Sequence, residues 1–162
     1  GKLNGWVSYT YSRTTRTIEG INDSKPYPAP FDKPHDFSIV ANYEVSPKLT
    51  LSANWVYSTG SPATFPAGKY EIMGTTIPLY TQRNSYRYPD YHRLDIAITY
   101  RPKANTARKW QGEWNLSIYN AYNRKNAWTI NFVNDKDNPN ITYAEKTYLF
   151  PILPAITYNF KF

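Results

Sequence analysis

The stretch Ala155-Ile-Thr-Tyr-Asn-Phe-Lys-Phe162 at the end of the chain decides the fold, because large apolar residues alternate strictly with small or polar ones. In an extended strand, successive side chains point to opposite faces. The alternation therefore predicts a β-strand with one apolar and one polar face. A soluble domain rarely ends on an exposed stripe of this kind, whereas in a transmembrane barrel the stripe faces lipid.

Five further stretches show the same period of two and predict antiparallel strands. They run from about Leu3 to Thr14, Phe37 to Val45, Leu49 to Thr59, Tyr91 to Arg101, and from near Glu113 to Tyr122. For the fifth strand, a continuation through Trp128 to Phe132 also fits the pattern. The sequence thus predicts an all-β fold of six strands.

The second and third strands provide an internal check on this interpretation, because the three-residue turn Ser46-Pro47-Lys48 separates them. Folding about Pro47 gives apolar pairs on one face and polar pairs on the other, so that turn and pattern agree on the register. The predicted pairs include Val45–Leu49, Tyr43–Leu51, Ala41–Ala53 and Ile39–Trp55 on the apolar face, and Asn42–Ser52 on the polar face.

The connections alternate between long and short. We expect about 20 residues, then 3, about 30, about 10, and finally a loop near Asn134 to Asn140. Long loops on one side and shorter turns on the other are typical of outer-membrane barrels. The long loops are rich in proline, which disfavours regular strands. Within the third connection, Lys69 to Tyr80 predicts a small hairpin around Gly74, with arms too short to cross a bilayer. Pro151 and Pro154, at the start of the last strand, require a bulge or a position above the bilayer.

Six strands cannot form a closed barrel on their own. Each unpaired backbone group costs a few kcal/mol in lipid, so that two open edges together cost tens of kcal/mol, more than the ~5–15 kcal/mol stability of a typical domain. Single-chain bacterial barrels begin at about eight strands. We therefore predict an antiparallel transmembrane β-barrel of which residues 1–162 form only a part.

The composition agrees with this prediction. The 162 residues are 17% aromatic and contain no cysteine, and the formal net charge is +7. They contain no apolar run long enough for a transmembrane helix, and disulfides and thiolate metal sites are excluded. The chain begins at Gly1 without an initiator methionine or an apolar leader. We expect it to be mature, truncated or a fragment.

Four motifs in order make the chain similar to TonB-dependent outer-membrane receptors of the Bacteroides–Flavobacterium group. The motifs are Phe31-Asp-Lys-Pro-His-Asp-Phe37, Tyr91-His-Arg-Leu-Asp95, Tyr119-Asn-Ala-Tyr-Asn-Arg-Lys-Asn126 and the tail from Tyr148 to Phe162. The resemblance covers nearly the whole chain and implies the last six strands of a 22-stranded barrel. The plug and the earlier strands would lie outside these residues. The tail departs from that of SusC-like glycan importers and looks closer to relatives with an N-terminal carboxypeptidase-regulatory-like domain.

The resemblance implies active uptake of a scarce nutrient across the outer membrane of a Gram-negative bacterium, not enzymatic activity. The implied partners are the rest of the receptor, the inner-membrane TonB complex acting through the plug, lipid and lipopolysaccharide, and a surface lipoprotein as an uncertain addition. No nucleic-acid partner, cofactor or metal is expected. Arg13, Arg16 and Lys25 near the external rim are candidates for lipopolysaccharide phosphates, with ordinary solvated charge as the alternative.

Three groups of residues are candidate sites. The C-terminal signal read by the barrel-assembly machinery would consist of Tyr158, Phe160 and Phe162. Lipid-facing aromatic girdles at the two water interfaces would include Tyr43, Trp55, Tyr57, Tyr100 and Trp114. A basic, aromatic loop end that suits an anionic or sugar-like ligand contains Arg83, Tyr86, Arg87, Tyr88 and Tyr91.

Other functions are weighed against transport. His35 and His92 lie beside acidic residues, but ordinary rim polarity explains them, and no catalytic or phosphate-binding motif accompanies them. Trp6 falls on the predicted polar face. A small self-contained barrel that serves as an adhesin or surface enzyme is one alternative. A soluble β domain that binds carbohydrate or nucleic acid is another. The apolar stripes disfavour the soluble domain.

Overall fold

A computed structural model of the chain describes residues 1–102, 111–138 and 141–161. Within these ranges the protein is all-β, with fourteen strands and one short 3-10 turn at Asn22–Ser24. The strands are β1 (Leu3–Tyr11), β2 (Thr15–Arg16), β3 (Tyr27–Pro28), β4 (His35–Ser46), β5 (Leu49–Ser58), β6 (Pro62–Ala63), β7 (Gly68–Ile72), β8 (Thr75–Leu79), β9 (Tyr86–Arg87), β10 (Tyr91–Tyr100), β11 (Gln111–Tyr119), β12 (Ala127–Asn134), β13 (Thr142–Tyr148) and β14 (Leu153–Lys161). Among these described residues, no helix is long and apolar enough to span a bilayer.

The six long strands form one sheet in the order β1-β4-β5-β10-β11-β14, so that each lies beside the next long strand along the chain. All six predicted strands are confirmed, although the first ends at Tyr11 and does not reach Thr14. β1 and β14 are the two edges of the sheet. The chain divides into a sheet body (1–9, 37–57 and 91–162) and a loop body (10–36 and 58–90).

The register of the sheet separates apolar from polar residues, as the alternation predicts. Between β10, β11 and β14 the pairs alternate between the two classes. One face carries Ile96–Ile118, Ile98–Leu116, Tyr100–Trp114, Trp114–Tyr158 and Leu116–Ile156. The opposite face carries Thr99–Asn115, Asn115–Thr157 and Glu113–Asn159. The sheet therefore has one apolar and one polar face.

The register predicted for β4 and β5 is also supported. The Ser52 hydroxyl donates to the Asn42 side-chain oxygen at 2.7 Å, and the Thr59 N–H donates to the His35 carbonyl at 2.9 Å. In both contacts the two residues lie equally far from Pro47 along the chain, as in the pairs that folding about Pro47 predicts. These strands thus present the predicted residues on each face.

The continuation predicted for the fifth strand is wrong. β11 ends at Tyr119, and Asn120 and Asn123 then adopt left-handed backbone conformations with φ of 53° and 54°. Asparagine tolerates this conformation and readily ends a strand. Trp128 and Phe132 belong instead to β12, which pairs with β13 in a separate hairpin. The connection from β11 to the last strand is therefore long, as the alternation of connection lengths predicts, and it includes the β12–β13 hairpin as well as the loop expected near Asn134 to Asn140.

Pro154 lies inside β14 and pairs with Ile118 in a register that continues without a shift from Tyr119–Leu153 to Gln111–Lys161. The β11–β14 ladder therefore has no bulge at Pro154, and a position above the bilayer remains a prediction. β14 is an edge strand, and proline is tolerated there because its missing N–H can face the unpaired side. Phe162 lies outside the described residues.

The loop body contains three small antiparallel ladders, β2–β3, β6–β9 and β7–β8. The hairpin predicted around Gly74 is confirmed as β7–β8, with φ of 49° at Met73 and 75° at Gly74 in the turn. The loop body also holds most of the described buried residues, among them Tyr27, Ala29, Asp32, Ala63 and Asn84. It is therefore packed despite its many prolines.

Candidate functional site

The apolar face of the sheet remains exposed. Leu51, Ile98 and Leu116 in the middle of their strands are 40–49% exposed, and Ile156 on the edge strand is 70% exposed. In a water-soluble sandwich, such side chains would be buried against a second layer. No second layer of the sheet body covers them within the described ranges.

Aromatic side chains occupy the turn end of the apolar face, defined as the end where β4 meets β5 and β10 meets β11. Tyr100, Trp114 and Tyr158 pair in sequence across three strands, and the rings of Trp114 and Tyr158 are 4.5 Å apart. The ring of Phe160 stacks next to that of Tyr158. We call Tyr100, Trp114 and Tyr158 the turn-end row; Tyr43, also predicted for a girdle, lies near the turn end of β4.

A second aromatic group occupies the loop end of the same face. Ring contacts of 5.7–6.5 Å run from Tyr9 to Phe37, from Phe37 to Trp55, and from Trp55 to both Tyr57 and His92. We call these five residues the loop-end row. Aliphatic residues such as Leu51, Ile96 and Ile98 lie between the two rows on their strands. The predicted girdle residues therefore fall into two groups at opposite ends of the strands.

The polar face carries amide and hydroxyl groups in mid-sheet and an ion pair near each end. Besides the Asn42–Ser52 bond, the Asn115 amide donates to the Thr99 hydroxyl at 2.9 Å. At the turn end, Arg101 donates to Glu113 at 2.6 Å. Two contacts share one offset: Lys2, which precedes β1, with Glu44, and Tyr9 with Phe37. They place Trp6 opposite Val40 on the polar face, where Trp6 is 54% exposed.

The most connected group on the polar face lies at its loop end and was not predicted as a group. Arg93 donates to Asp95 at 2.9 and 3.0 Å, and to the hydroxyls of Tyr91 at 2.8 Å and Tyr119 at 2.6 Å. Its guanidinium carbon lies 4.0 Å from the centre of the Tyr119 ring. The sequence signal was the alternation of Tyr91, Arg93 and Asp95, but nothing in it points to Tyr119.

Asn120 anchors the end of β11 beside this group. Its side chain is buried and donates to the carbonyls of Arg124 at 2.9 Å and Phe150 at 3.3 Å, while its side-chain oxygen accepts the Arg124 N–H at 2.9 Å. Its backbone N–H donates to Asp95 at 2.9 Å. One residue thus ties together β10, β11 and the segment that precedes β14.

In the loop body, Arg87 forms an ion pair with buried Asp32. Arg87 also donates to the carbonyls of Asp32 at 2.8 Å and Gly60 at 3.0 Å, and the Thr14 N–H donates to Asp32 at 2.6 Å. Burial alone would raise the pKa of the Asp32 carboxyl, but the Thr14 N–H and the Arg87 guanidinium outweigh burial and hold that pKa below its usual value. The guanidinium of Arg87 thus links the two segments of the loop body, and ligand contact by Arg87 remains a prediction.

The other predicted loop residues are dispersed. The Arg83 backbone exchanges two hydrogen bonds with the side chain of Asn22, at 2.7 and 2.9 Å, and Arg83 itself is exposed. Tyr86 stacks on Phe65 with a ring distance of 5.6 Å, and Tyr88 meets Phe65 edge-on at 5.8 Å. Tyr91 belongs to the sheet body and bonds Arg93. Ligand contact by Arg83, Tyr86, Tyr88 and Tyr91 remains a prediction.

The candidate histidines and rim cations have ordinary partners. The His92 ring shares a hydrogen bond of 2.7 Å with the Tyr122 hydroxyl, and the His35 ring lies 5.4 Å from that of Tyr11. Within the described residues, no three His, Cys, Asp or Glu side chains are grouped to hold a metal ion. Arg16 lies over the Phe31 ring, and Lys25 pairs with Asp23 at 3.8 Å. Arg13 is exposed.

Comparison of the chain with protein-family models, with curated proteins and with solved structures returns no match.

Proposed function

We propose that this chain forms the C-terminal wall of a TonB-dependent outer-membrane receptor that takes up a scarce nutrient. The observation that carries the proposal is the exposed apolar face with an aromatic row at each end. Transmembrane barrels present such a surface to lipid, with aromatic girdles at both interfaces. The polar face would then border an aqueous passage.

The height of the apolar face fits a bilayer. Along β10, His92 in the loop-end row and Tyr100 in the turn-end row are separated by eight positions. At about 3.3 Å per residue these positions span roughly 26 Å along the strand. A tilt of about 40° reduces this to roughly 20 Å, close to the apolar band of about 25 Å in outer-membrane barrels.

The connections also support the proposal. β4 and β5 are joined through Pro47 and Lys48 alone, whereas segments 12–34, 59–90 and 120–152 form the connections at the opposite end. Antiparallel order puts the long connections on one side, as in barrels with long external loops and short periplasmic turns. The long connections would accordingly be extracellular.

The two edges favour a larger barrel over a small self-contained one. β1 and β14 each pair with one neighbour in the described sheet. In lipid, the second row of backbone groups on each edge strand needs a partner. We infer that earlier strands of a longer polypeptide supply these partners. The plug, the TonB complex and a location in a Gram-negative outer membrane follow from the resemblance stated above.

A pair of neighbouring positions tests the proposal. Residues 1–162 contain no cysteine, so Ala97→Cys on the polar face and Ile98→Cys on the apolar face introduce single thiols on these strands. Ile98 is 44% exposed and Ala97 is less exposed in the protein alone. A water-soluble fold would therefore label the cysteine at position 98 faster with a water-soluble maleimide.

In isolated membranes that contain the intact polypeptide, we expect the reverse order. The thiol at position 97 should react, and that at position 98 should react only after denaturation, because lipid covers it. Faster labelling at position 98, or recovery of the polypeptide in the soluble fraction, would rule out the proposal.

A further inference from the structure

The loop end of the polar face combines a fixed cation with two phenol groups. We propose that Tyr91 and Tyr119, held by Arg93, bind an anionic oxygen group of a solute, either a carboxylate or a phosphate. The inference rests on the proposed function, since it requires the polar face to border an aqueous passage. It adds a site and a chemical class of solute to that function.

Asp95 fixes the orientation of Arg93. One carboxylate oxygen of Asp95 accepts from two guanidinium nitrogens of Arg93, and the other accepts the Asn120 N–H. Arg93 also stacks on the ring of Tyr119. With both oxygens of Asp95 engaged, the remaining terminal nitrogen of Arg93 is directed at the two phenols.

The hydrogen bonds from Arg93 determine what the phenols can still do. A guanidinium carries only donors, so each phenol oxygen must act as the acceptor in its bond to Arg93. Each hydroxyl proton is then left to donate elsewhere. Even when one hydroxyl donates to the other, a second O–H remains for an acceptor outside the cluster.

The remaining phenol O–H donor favours an ionised acceptor, even though Arg93 and Asp95 cancel each other's charge. Hydrogen bonds to an ionised acceptor are roughly twice as strong as those between neutral groups. A carboxylate or phosphate should therefore bind more tightly than the hydroxyl of a neutral sugar.

The test measures binding to the intact polypeptide purified in detergent. Calorimetric titrations with citrate, inorganic phosphate and glucose compare the unchanged protein with Tyr91→Phe, Tyr119→Phe and the double variant. Tyr100→Phe is the matched control, because Tyr100 lies on the same strand but on the apolar face. Each variant keeps the aromatic ring, and unchanged heat-modifiable mobility on gels verifies folding.

We expect saturable binding of citrate or phosphate, and the stronger of the two identifies the preferred group. The double variant should weaken this binding about tenfold or more, since a hydrogen bond to a charged group contributes about 1.5–3 kcal/mol. Tyr100→Phe should leave it unchanged. Equal binding by all variants, no binding by the unchanged protein, or preference for glucose would overturn the proposal. Because maleimide labelling of positions 97 and 98 reports lipid exposure separately, this site can fail while the proposed transport function stands.

Discussion

The hydroxyl of Tyr158 lies beside Gly112, in the space that a Cβ atom at position 112 would need. Gly112 pairs with Phe160 in the neighbouring strand, so the Tyr158 ring reaches diagonally across the ladder and covers the glycine. Trp114 packs against the other residues of this row. The contact between Tyr158 and Gly112 thus helps to fix the register of the last strand.

Gly112→Ala is expected to destabilise the sheet by about 1 kcal/mol, because the added methyl group displaces the tip of the Tyr158 side chain, which yields more readily than backbone would. Urea titration of the intact polypeptide, followed by gel mobility, measures this change. Gly68→Ala is the matched control, since a Cβ atom there has no neighbour within 4 Å. If both variants unfold at the same urea concentration, the position of the Tyr158 ring does not require a glycine at position 112.

Asp32→Asn should loosen the loop body by about 1–3 kcal/mol, because it leaves the Arg87 guanidinium without its buried charge partner. Cleavage of residues 10–36 and 58–90 by a protease at neutral pH measures the loosening. Asp23→Asn removes an exposed carboxylate that pairs with Lys25 at 3.8 Å and should change cleavage little. Similar cleavage of the two variants would show that the ion pair between Arg87 and Asp32 does not hold the loop body together.

The lowered pKa of Asp32 predicts how the loop body responds to acid. An aspartate with a pKa lower in the folded than in the unfolded state stabilises the fold at pH values above its unfolded pKa. This stabilisation is lost as the pH falls through the folded value, which lies below the ordinary 3.8. After correction for intrinsic rates, the hydrogen-exchange rate of the loop body should therefore stay constant from pH 7 to about pH 4. Below about pH 4 the rate should rise. Asp32→Asn should remove this acid-induced step; its persistence in the variant would assign it to another group.

The fluorescence of Trp6, Trp55 and Trp114 should show which solvent contacts each face of the sheet. In variants that retain one of Trp6, Trp55 or Trp114, with phenylalanine at the other tryptophan positions, bilayers of brominated lipid quench fluorescence near the bromines. Trp55 and Trp114 should be quenched most by bromines near the headgroups, as expected for interfacial girdles. Trp6 should respond instead to aqueous iodide. Equal iodide quenching of all three would contradict the assignment of the faces.

Asn120→Ala should destabilise the end of β11 by about 1–3 kcal/mol, because it removes three side-chain hydrogen bonds and leaves buried partners unsatisfied. Alanine also disfavours the left-handed conformation at this position. Asn131→Ala, at an exposed strand position in β12, should have little effect. The readout is proteolytic cleavage within residues 119–126. Equal resistance of both variants would show that the turn holds without this side chain.

The strands and their faces could be predicted from the sequence, because a period of two reflects backbone geometry and needs no knowledge of distant contacts. The Asn42–Ser52 pair follows from the short turn around Pro47 alone. The uninterrupted pairing of Pro154 with Ile118 could not be predicted, because the alternation carries no information on which ladder positions tolerate proline.

Contacts between residues far apart in sequence could not be predicted. Arg87 and Asp32 are 55 positions apart, and Arg93 and Tyr119 are 26 apart, so that local patterns carry no signal for either pair. The pairing of Arg87 with Asp32 could therefore not be predicted. The end of β11 could not be predicted, because apolar residues such as Trp128 follow Asn120 and continue the alternating pattern beyond the turn.

The two edge strands of the six-stranded sheet, β1 and β14, have a consequence for the biogenesis of this polypeptide. An unpaired strand edge offers a template on which another chain can extend the sheet. Copies that meet before their neighbouring strands arrive would therefore associate with one another and form insoluble aggregates. If the chain belongs to the proposed barrel, it would need to be kept from self-association until neighbouring strands pair with these edges.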